Sequence, residues 1–510
     1  MAPTISEFYA GSNIFITGGT GFVGLAVIEK ILRTLPDVGN IYLLLRPKKG
    51  VEISKRLEAI KNDPVFDRLR GPDKINRFNK LIPVAGDVGL PNLGLIDEDI
   101  TILQENVHIV IHSAATLDFE ASLKTTVNIN LLGTRRLVSF CHTMHNFKAL
   151  VHVSSAYANS HINRAEEIIY PAVEDPAKVI ELANSLSDAT IEEITPTLLN
   201  GHPNTYTFTK SLAELEVSRS HNTVFLTCIV RPSMIIGAWK EPFPGWTNSK
   251  NGPQGFIMGA AKGVVRRLPL NKNLVYDYIP VDVVVNQILT GAWHVFITKP
   301  LDSAVFQCTT SEYKPFRWVD VENQVNTLLH KYPLSKPVWY PTLKFLPSLL
   351  LFRISAVIFH LIPAMIIDSL SLITGGKRIL MRLHSSINKS LGRLAPFIFS
   401  EWFFSNKKSL VLHQSLTSQD QLVYYLDVQD LLWGPYFEDL TKGVRKYLNN
   451  DDLSTLEISK KKDRVLRVCN WIVQALVMAA FWAFVVYVCG GPEVASLSVP
   501  VVIFMLFQFL

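Results

Sequence analysis

The chain has 510 residues, 48% hydrophobic and 18% charged, which excludes a disordered protein and predicts two globular units plus an apolar segment. Five scattered cysteines form no CxxC pair, so neither a disulfide framework nor a metal site is expected, and a reducing compartment is favoured. The net charge of +6 is spread along the chain, which argues against a nucleic-acid partner and only weakly for an anionic membrane surface.

The first informative element is a glycine-rich turn. A short apolar run at residues 14–16 predicts a buried strand, and TGGTGFVG at residues 17–24 leads from it into an amphipathic helix. Gly18 permits a tight turn, Gly21 allows close approach of a pyrophosphate, and Gly24 lets the helix pack on the strand. The helix N-terminus would hold the phosphates. The candidate cofactor-binding residues here are Thr17, Gly18, Thr20, Gly21, Phe22 and Gly24.

Strand-like runs then alternate with helical segments. The runs are residues 14–16, 41–45, 81–85, 107–112, 150–153 and 224–230. This alternation predicts an α/β fold, a Rossmann-type doubly wound parallel sheet. A ligand is expected beyond the carboxyl ends of the strands, which is where the following residues fall: Gly18, Arg46, Asp87, Ser113 and Ser155.

The end of the second strand bears on the choice of cofactor. Arg46 stands where an acidic residue would contact the ribose of NAD, and an arginine there suits the 2′-phosphate of NADP. Lys48 and Lys49 add positive charge, although a basic turn is also ordinary protein surface, so NAD remains the alternative. Asp87 is a candidate acceptor for the adenine amino group, and Ser113 precedes two alanines that leave room beside the cofactor.

Tyr206 and Lys210 are the candidate catalytic pair. They lie four residues apart in a stretch that predicts a helix, so both project from one face. An adjacent ammonium and an oxidised nicotinamide are expected to lower the pKa of the tyrosine, and the lysine can also bind the nicotinamide ribose. Ser155, at the end of the fifth strand, is our choice for the hydroxyl that polarises the reacting carbonyl, with Ser154 as the close competitor.

The second half of the chain has a different pattern. Alternation ends near residues 313–325, which divides the chain into an NADP-binding Rossmann domain at residues 1–320, a helical domain at 321–456 and a hydrophobic anchor at 465–510. Within the helical domain, residues 354–367 are uncharged but shorter than the roughly 20 residues that span a bilayer. A buried core helix is favoured there over an interfacial or acyl-contacting segment.

The tail predicts a membrane anchor. Residues 471–489 are uncharged and long enough to cross a bilayer, and residues 494–510 form a second uncharged run. The alternatives are one span with a re-entrant end, a two-helix hairpin, or a soluble apolar helix pair. Five basic residues at 460–467 precede the first run and predict a cytosolic catalytic part, and nothing at the amino terminus resembles a secretory signal. The membrane of the endoplasmic reticulum or the peroxisome is expected.

Together these motifs resemble a known enzyme family. The turn at 17–24, HSAAT at 112–116, VHVSSAY at 151–157, the Tyr206/Lys210 pair and RPSM at 231–234 are similar to extended short-chain dehydrogenase/reductases. The chain more narrowly resembles alcohol-forming fatty acyl-CoA reductases, and insect members most closely. That match rests on GDV at 86–88, EPFPGW at 241–246, NGPQG at 251–255, EWFF at 401–404 in the helical domain, and the apolar tail.

The resemblance implies a reaction and its partners. A long-chain acyl-CoA would be reduced by two NADPH to a primary alcohol, with free CoA released. Tyr206 would protonate the alkoxide, Lys210 would tune Tyr206, and Ser155 would orient the oxygen. Membrane lipid is the second expected partner; the motifs predict neither acyl chain length nor oligomeric state. The alternatives are a membrane-bound sterol or hydroxysteroid dehydrogenase and a catalytically silent NADP-binding membrane protein.

Overall fold

The computed structural model describes residues 3–47, 50–373 and 375–488. Its strands are, in chain order, β1 (Asn13–Thr17), β2 (Ile41–Leu45), β3 (Leu81–Ala85), β4 (Val107–His112), β5 (Ala149–Val153), β6 (Arg164–Ala165), β7 (Thr227–Pro232), β8 (Met234–Ile236), β9 (Arg267–Pro269), β10 (Tyr278–Pro280), β11 (Ala304–Cys308), β12 (Lys344–Leu346) and β13 (Phe403–Phe404).

The α-helices surround and follow these strands. They are α1 (Ile5–Tyr9), α2 (Phe22–Thr34), α3 (Ile53–Lys61), α4 (Asp97–Asn106), α5 (Leu123–Thr126), α6 (Leu132–Cys141), α7 (Pro176–Ser185), α8 (Asp188–Leu199), α9 (Thr205–Ser220), α10 (Pro253–Ala261), α11 (Val281–Thr298), α12 (Glu322–Lys331), α13 (Leu349–Ala356), α14 (Ile362–Ile373), α15 (Leu380–Ile398), α16 (Lys407–Ser415), α17 (Ser418–Val423), α18 (Trp433–Gly443) and α19 (Leu456–Val488). Single π turns occur at Val127–Leu131, Val357–Leu361 and Val444–Leu448.

A seven-stranded parallel sheet organises the first part of the chain. Its strand order is β11-β7-β5-β4-β1-β2-β3, so the order reverses between β1 and β4. This is the doubly wound sheet that the alternating pattern predicts, and the fold class is confirmed. The sixth predicted strand begins later than expected, at Thr227, because Val224 is exposed. The seventh strand, β11, was not predicted.

The central strands are buried on both faces. Every residue of β2, β5 and β7 is buried, as expected for a parallel sheet covered by helices on both sides. Helix α11 is long and apolar enough to cross a membrane, but most of its residues are buried and it packs on β5, β7 and β11. It is therefore a core helix of the sheet.

The described residues form two compact units whose segments interleave along the chain. The first comprises Met1–Asn248, Val275–Phe316 and Glu401–Leu432, and the second comprises Ser249–Leu274, Arg317–Ser400 and Trp433–Leu510. The sequence-based division is linear and differs at two segments: 249–274 belongs to the second unit and 401–432 to the first. The division into domains at residues 1–320, 321–456 and 465–510 stays a prediction.

The helix at 349–373 corrects one expectation. A buried core helix is the expectation for residues 354–367, yet Leu349–Ile373 is one helical stretch of 25 residues whose apolar 18-residue window is only one-third buried. Ile354, Met365 and Ile366 are exposed. The core prediction is wrong because the 14-residue uncharged run underestimates the helix, which continues on both sides of it.

Candidate active site

The glycine-rich turn has the geometry that a dinucleotide requires. Gly18 has φ +76°, and a Cβ there would lie 2.7 Å from the backbone of Ser113 and Ala114. A Cβ on Gly24 would lie 2.3 Å from the carbonyl oxygen of Gly18. Gly21 caps α2, and its N–H donates to the Gly18 carbonyl at 2.9 Å. Glycine is therefore required at positions 18 and 24, and the first turn of α2 is accessible to a phosphate.

Thr17 and Ser113 form hydrogen bonds at the base of this turn. The Thr17 hydroxyl lies 2.7 Å from Nδ1 of His112 and accepts the N–H of Ala114 at 3.2 Å. The Ser113 hydroxyl donates to the Thr17 carbonyl at 2.8 Å. These contacts join the ends of β1 and β4, where the strand order reverses. Both side chains are already bonded to protein, so their direct contact with a cofactor stays a prediction.

The two other side chains of the turn differ in their surroundings. Thr20 is exposed at its tip. Phe22 packs against Trp246, with ring centroids 5.2 Å apart, and Trp246 is only 1% exposed. The N–H of Ala238 donates to the Trp246 carbonyl at 2.9 Å, which closes a loop over the ring. Sequence reasoning used Trp246 only as part of a family motif and missed its contact with the turn.

A buried charged cluster fixes this loop to α2 and α11. The carboxylate of Asp282, near the start of α11, accepts three consecutive backbone N–H groups at residues 239–241, at 2.7–3.1 Å. Glu241 forms ion pairs with Lys30 at 2.5 Å and Arg33 at 3.0 Å, both on α2. Burial alone would raise the pKa of Glu241, but the two cations hold it below its usual value. The loop is thus tied to the helix that begins at the turn.

Arg46 and Asp87 follow β2 and β3 at the same edge of the sheet. Arg46 is exposed, and its carbonyl accepts a hydrogen bond from Arg56. Asp87 is partly buried and its carboxylate accepts the N–H of Gly89 at 2.9 Å. Lys48 and Lys49, which the sequence adds to the same basic turn, lie outside the described residues. The structure therefore places both predicted residues at the carboxyl ends of β2 and β3 without assigning them a ligand.

The helix α9 carries the candidate catalytic pair. Its cap is Asn204, whose side chain accepts the N–H of Thr207 at 2.9 Å, so Tyr206 lies in the first turn. Tyr206 is 8% exposed and Lys210 is 3% exposed. The Lys210 ammonium donates to the carbonyl of Val153 at 2.7 Å. Lys210 therefore ties α9 to the carboxyl end of β5, where the predicted serine follows.

Ser155, not Ser154, lies with the tyrosine. The Ser155 hydroxyl accepts the N–H of Tyr157 at 3.2 Å and lies close enough to the Tyr206 hydroxyl to lower its pKa against the effect of burial. The Ser154 hydroxyl instead donates to Glu214 at 2.5 Å, and Glu214 forms a buried ion pair with Arg231. Successive residues point to opposite sides of an extended chain, so only one of the two serines can face the cleft. This geometry favours Ser155.

Burial shifts the pKa values of both Tyr206 and Lys210. It raises the pKa of Tyr206 to about 12, with the nearby Ser155 hydroxyl acting in the opposite direction. It lowers the pKa of Lys210 to about 8 against the opposing charge of Glu214. Burial outweighs the ammonium because it penalises the phenolate, and Lys210 donates to Val153. The lowering expected from Lys210 and an oxidised nicotinamide together stays a prediction. A tyrosine that stays protonated at neutral pH is suited to donate a proton.

One supporting residue was missed by sequence reasoning. Asn130 is buried in the π turn Val127–Leu131; its side-chain oxygen accepts the N–H of Thr116 at 2.9 Å. Its amide donates to the hydroxyl of Thr209 at 3.2 Å, between the two catalytic candidates. Asn130 thereby joins the loop after β4 to α9. A π turn has no clear sequence pattern, so the only available signal was a polar residue in an apolar helix.

The segment at 401–404 also occupies an unexpected place. It was expected in the helical domain, but β13 pairs with β6 in the first unit. Trp402 donates to the carbonyl of Ser160 at 3.2 Å, and its ring packs edge-on against Tyr157, two residues after Ser155. The correction follows from backbone pairing, which a composition shift along the sequence does not reveal. Aromatic side chains therefore flank the chain just beyond the candidate serine.

The chain matches known families and relatives over nearly its full length. Residues 16–288 match an NAD-binding family described as "Male sterility protein", and residues 359–451 match a second family with the same description. A Drosophila melanogaster protein provisionally named a fatty acyl-CoA reductase is 47% identical over 508 residues, covering 98% of both chains. Homo sapiens fatty acyl-CoA reductase 1 is 33% identical, covering 94% of this chain and 93% of its own. The chain belongs to the fatty acyl-CoA reductase family.

Solved structures support the fold of this fatty acyl-CoA reductase family member. The terminal R domain of the myxalamid PKS-NRPS pathway is 18% identical with a TM-score of 0.53, covering 82% of this chain and 90% of its own. The reductase domain of a Mycobacterium tuberculosis nonribosomal peptide synthetase is 15% identical with the same TM-score, covering 88% and 94%. The predicted family and the Rossmann-type fold are confirmed.

Proposed function

We propose that the chain reduces a long-chain fatty acyl-CoA to a primary fatty alcohol, with NADPH as reductant and release of CoA. The observation that carries this proposal is the grouping of Ser155, Tyr206 and Lys210 at the carboxyl end of β5, in a chain of this family. Enzymes with a nicotinamide cofactor need a proton donor beside the reacting carbonyl, and Tyr206 fits that role.

Ser155, Tyr206 and Lys210 have separate roles in each reduction step. When bound, NADPH supplies a hydride. The hydroxyls of Ser155 and Tyr206 hold the carbonyl oxygen, on which negative charge grows, and Tyr206 donates its proton there. With a pKa of about 8, Lys210 is mostly charged at neutral pH and stabilises the phenolate that remains. The Tyr206 phenolate takes back the hydroxyl proton of the hemithioacetal, which collapses to aldehyde and CoA thiolate. The reprotonated Tyr206 then donates to the aldehyde oxygen in the second reduction, with Ser155 and Lys210 in the same roles.

The turn and Arg46 support NADPH as the reductant. The space at Gly18 and Gly24 and the capped start of α2 fit a pyrophosphate. Arg46 is exposed beyond β2, where the 2′-phosphate of NADP would lie, and a guanidinium binds phosphate in bidentate fashion. NAD has no 2′-phosphate, so it would offer the Arg46 guanidinium no anionic partner at this position.

The last described helix supports a membrane location. Helix α19 includes an apolar stretch long enough to cross a bilayer, and almost none of that stretch is buried. Basic residues at 460–467 precede it, which favours a cytosolic catalytic part at the endoplasmic reticulum or peroxisome membrane. The predicted second run, residues 494–510, lies outside the described residues. Fatty alcohol partitions into bilayers, so this location suits the product.

Product analysis tests the proposal. The purified full chain in nanodiscs is incubated with palmitoyl- or stearoyl-CoA and either NADPH or NADH, and a sterol panel replaces the acyl-CoA in parallel. Fatty alcohol formed with NADPH and abolished by Tyr206→Phe is the expected result. Aldehyde as the final product would limit the reaction to one hydride step. Reduction of keto-steroids alone would favour the dehydrogenase alternative, and no turnover of either class would favour the silent binding protein.

A further inference from the structure

Helices α13 to α15 form a hairpin, residues 349–398, within the second unit. The carboxylate of Asp368, near the end of α14, accepts the N–H groups of Ile379, Leu380 and Met381 at 2.9–3.2 Å. These bonds cap the start of α15 and fix the return of the chain. Helices α14 and α15 also pack on each other, so the hairpin is one structural element.

One face of the hairpin belongs to the globular unit. Phe352, Ser355 and Phe359 are buried on it at helical spacing. His360 is buried beside them, and its Nε2 accepts the N–H groups of Arg266 and Arg267 at 3.0 and 3.1 Å. This bond joins the hairpin to the start of β9. A helix that crossed a bilayer would carry the adjoining Arg266 and Arg267 to membrane depth, where charged side chains are costly, so the hairpin lies along a surface and does not span.

The opposite face is apolar and exposed. Leu370 is 58% exposed and Ile373 is 82% exposed. The other exposed apolar residues of the hairpin are Leu350, Ile354, Val357, Ile362, Met365, Ile366, Ile367, Leu372, Ile379 and Leu383. Scattered exposed apolar residues are normal on a soluble protein. Here they recur along α13, the π turn and α14 and continue at Ile379 and Leu383 of the returning chain, which marks an interaction surface.

The charged residues of the hairpin indicate which kind of partner binds its apolar face. Residues 349–400 contain six basic side chains and one acidic side chain, and that acid, Asp368, is buried in the cap. Lys377, Arg378 and Arg382 are exposed at the turn, beside the apolar row. Basic residues flanking an apolar helix face are typical of helices that bind anionic lipid surfaces.

The same charges argue against two other occupants. A second copy of this hairpin would place like charges against each other. The uncharged terminal run at 494–510 would leave the cations at the turn without acidic partners. An anionic leaflet satisfies both the apolar row and the basic turn.

We propose that the hairpin 349–398 lies in the interface of an anionic membrane leaflet, with its apolar face inserted and Lys377, Arg378 and Arg382 on lipid phosphates. This contact is separate from the terminal apolar helix and does not depend on the reaction proposed above. It holds the second unit flat against the membrane instead of leaving it tethered by the tail alone.

Depth measurements on the full chain test the contact. Leu370→Cys or Leu383→Cys is labelled with an environment-sensitive fluorophore in a Cys469→Ser, Cys489→Ser background, in phosphatidylcholine vesicles with or without phosphatidylserine. Both labels are expected to be quenched by brominated lipid and shielded from aqueous iodide when phosphatidylserine is present. The matched label Leu301→Cys, an exposed site in the first unit, is expected to show the reverse.

Charge reversal completes the test. Lys377→Glu, Arg378→Glu and Arg382→Glu together, or high salt, are expected to reduce quenching by brominated lipid several-fold. The control carries Lys55→Glu, Lys178→Glu and Lys299→Glu, three exposed lysines of the first unit, and is expected to leave quenching unchanged. Labels open to iodide, labels shielded from both quenchers by a protein cover, or lipid quenching that is indifferent to phosphatidylserine would each overturn the proposal.

Discussion

Glu214 and Arg231 form an ion pair that water does not reach. Their closest atoms are 2.7 Å apart, and the side chains are 3% and 0% exposed. Glu214 lies one helical turn beyond Lys210 on α9 and also accepts the hydroxyl of Ser154. The carboxylate therefore joins α9 to the ends of β5 and β7. Its charge raises the pKa of Lys210 against the stronger effect of burial.

This relationship predicts the effect of Glu214→Gln on the pH dependence of activity. Burial lowers the pKa of Lys210 to about 8, and without the carboxylate the pKa falls further. The ammonium is then lost at lower pH, so activity declines earlier as pH rises. A profile of kcat/KM against pH is expected to show the alkaline limb shifted to lower pH.

Glu216→Gln is the matched control for that measurement. Glu216 lies on the same helix and pairs with Arg135, which is about one-third exposed. Its removal is expected to leave the alkaline limb in place. Glu214→Gln also leaves Arg231 buried without its counter-charge, which costs about 3–5 kcal/mol of stability. Ser154→Ala, which removes only one hydrogen bond to Glu214, is the milder companion variant. A folded Glu214→Gln enzyme with an unshifted alkaline limb would contradict the assigned role.

The two adjacent serines predict opposite outcomes. Ser155→Ala removes the hydroxyl beside Tyr206 and is expected to lower kcat about 10²–10³-fold, the usual loss of one oxyanion donor. Ser154→Ala is expected to lower kcat by less than about tenfold, since its hydroxyl serves Glu214. Single-turnover rates of both variants with acyl-CoA and with the matching aldehyde give the measurement. Equal losses would show that the geometry misassigns the serine.

The sheet was predictable because parallel strands buried on both faces leave continuous apolar runs in the sequence. Five of the six runs coincide with strands within one residue, and the sixth begins late at Thr227. The interleaving of the units was not predictable, because it depends on β13 pairing with β6 across more than two hundred residues. The amino-acid composition of either segment does not indicate which distant segment it pairs with.

The same contrast between local patterns and long-range contacts applies to the site residues. Glycines at 18 and 24 and the Tyr206/Lys210 spacing are local patterns, and the structure brings them to one edge of the sheet. The pKa of Tyr206 depends on burial by the whole fold, which the local spacing to Lys210 does not describe. Asn130 was missed for the same reason, since its partners come from two other elements.

The exposed guanidinium of Arg46 predicts a cofactor-specific defect. Arg46→Ala is expected to raise KM for NADPH about tenfold or more, since a hydrogen bond to a charged group contributes about 1.5–3 kcal/mol. KM for NADH, which has no 2′-phosphate, is expected to stay unchanged. Arg219→Ala, an exposed arginine paired with Asp175, is the control. An equal rise for both cofactors would exclude a contact with the 2′-phosphate.

The packing of the turn predicts that Gly24→Ala abolishes cofactor binding. The added Cβ would lie 2.3 Å from the Gly18 carbonyl oxygen and 2.7 Å from the Cα of Gly19, both rigid backbone. Either the turn or the start of α2 must move, and a shift of that size removes the phosphate-binding geometry. The thermal midpoint is also expected to fall, by about 2 °C or less for each 1 kcal/mol lost in a chain of this size.

Gly71→Ala provides the control because a Cβ there meets nothing within 4 Å. It is expected to keep both the thermal midpoint and the affinity for NADPH, measured by quenching of protein fluorescence. NADPH should raise the thermal midpoint of this control by mass action and leave that of Gly24→Ala unchanged, since only a native state that binds the cofactor is stabilised by it. A Gly24→Ala chain that binds NADPH with the affinity of the control would show that the nucleotide lies elsewhere than on the first turn of α2.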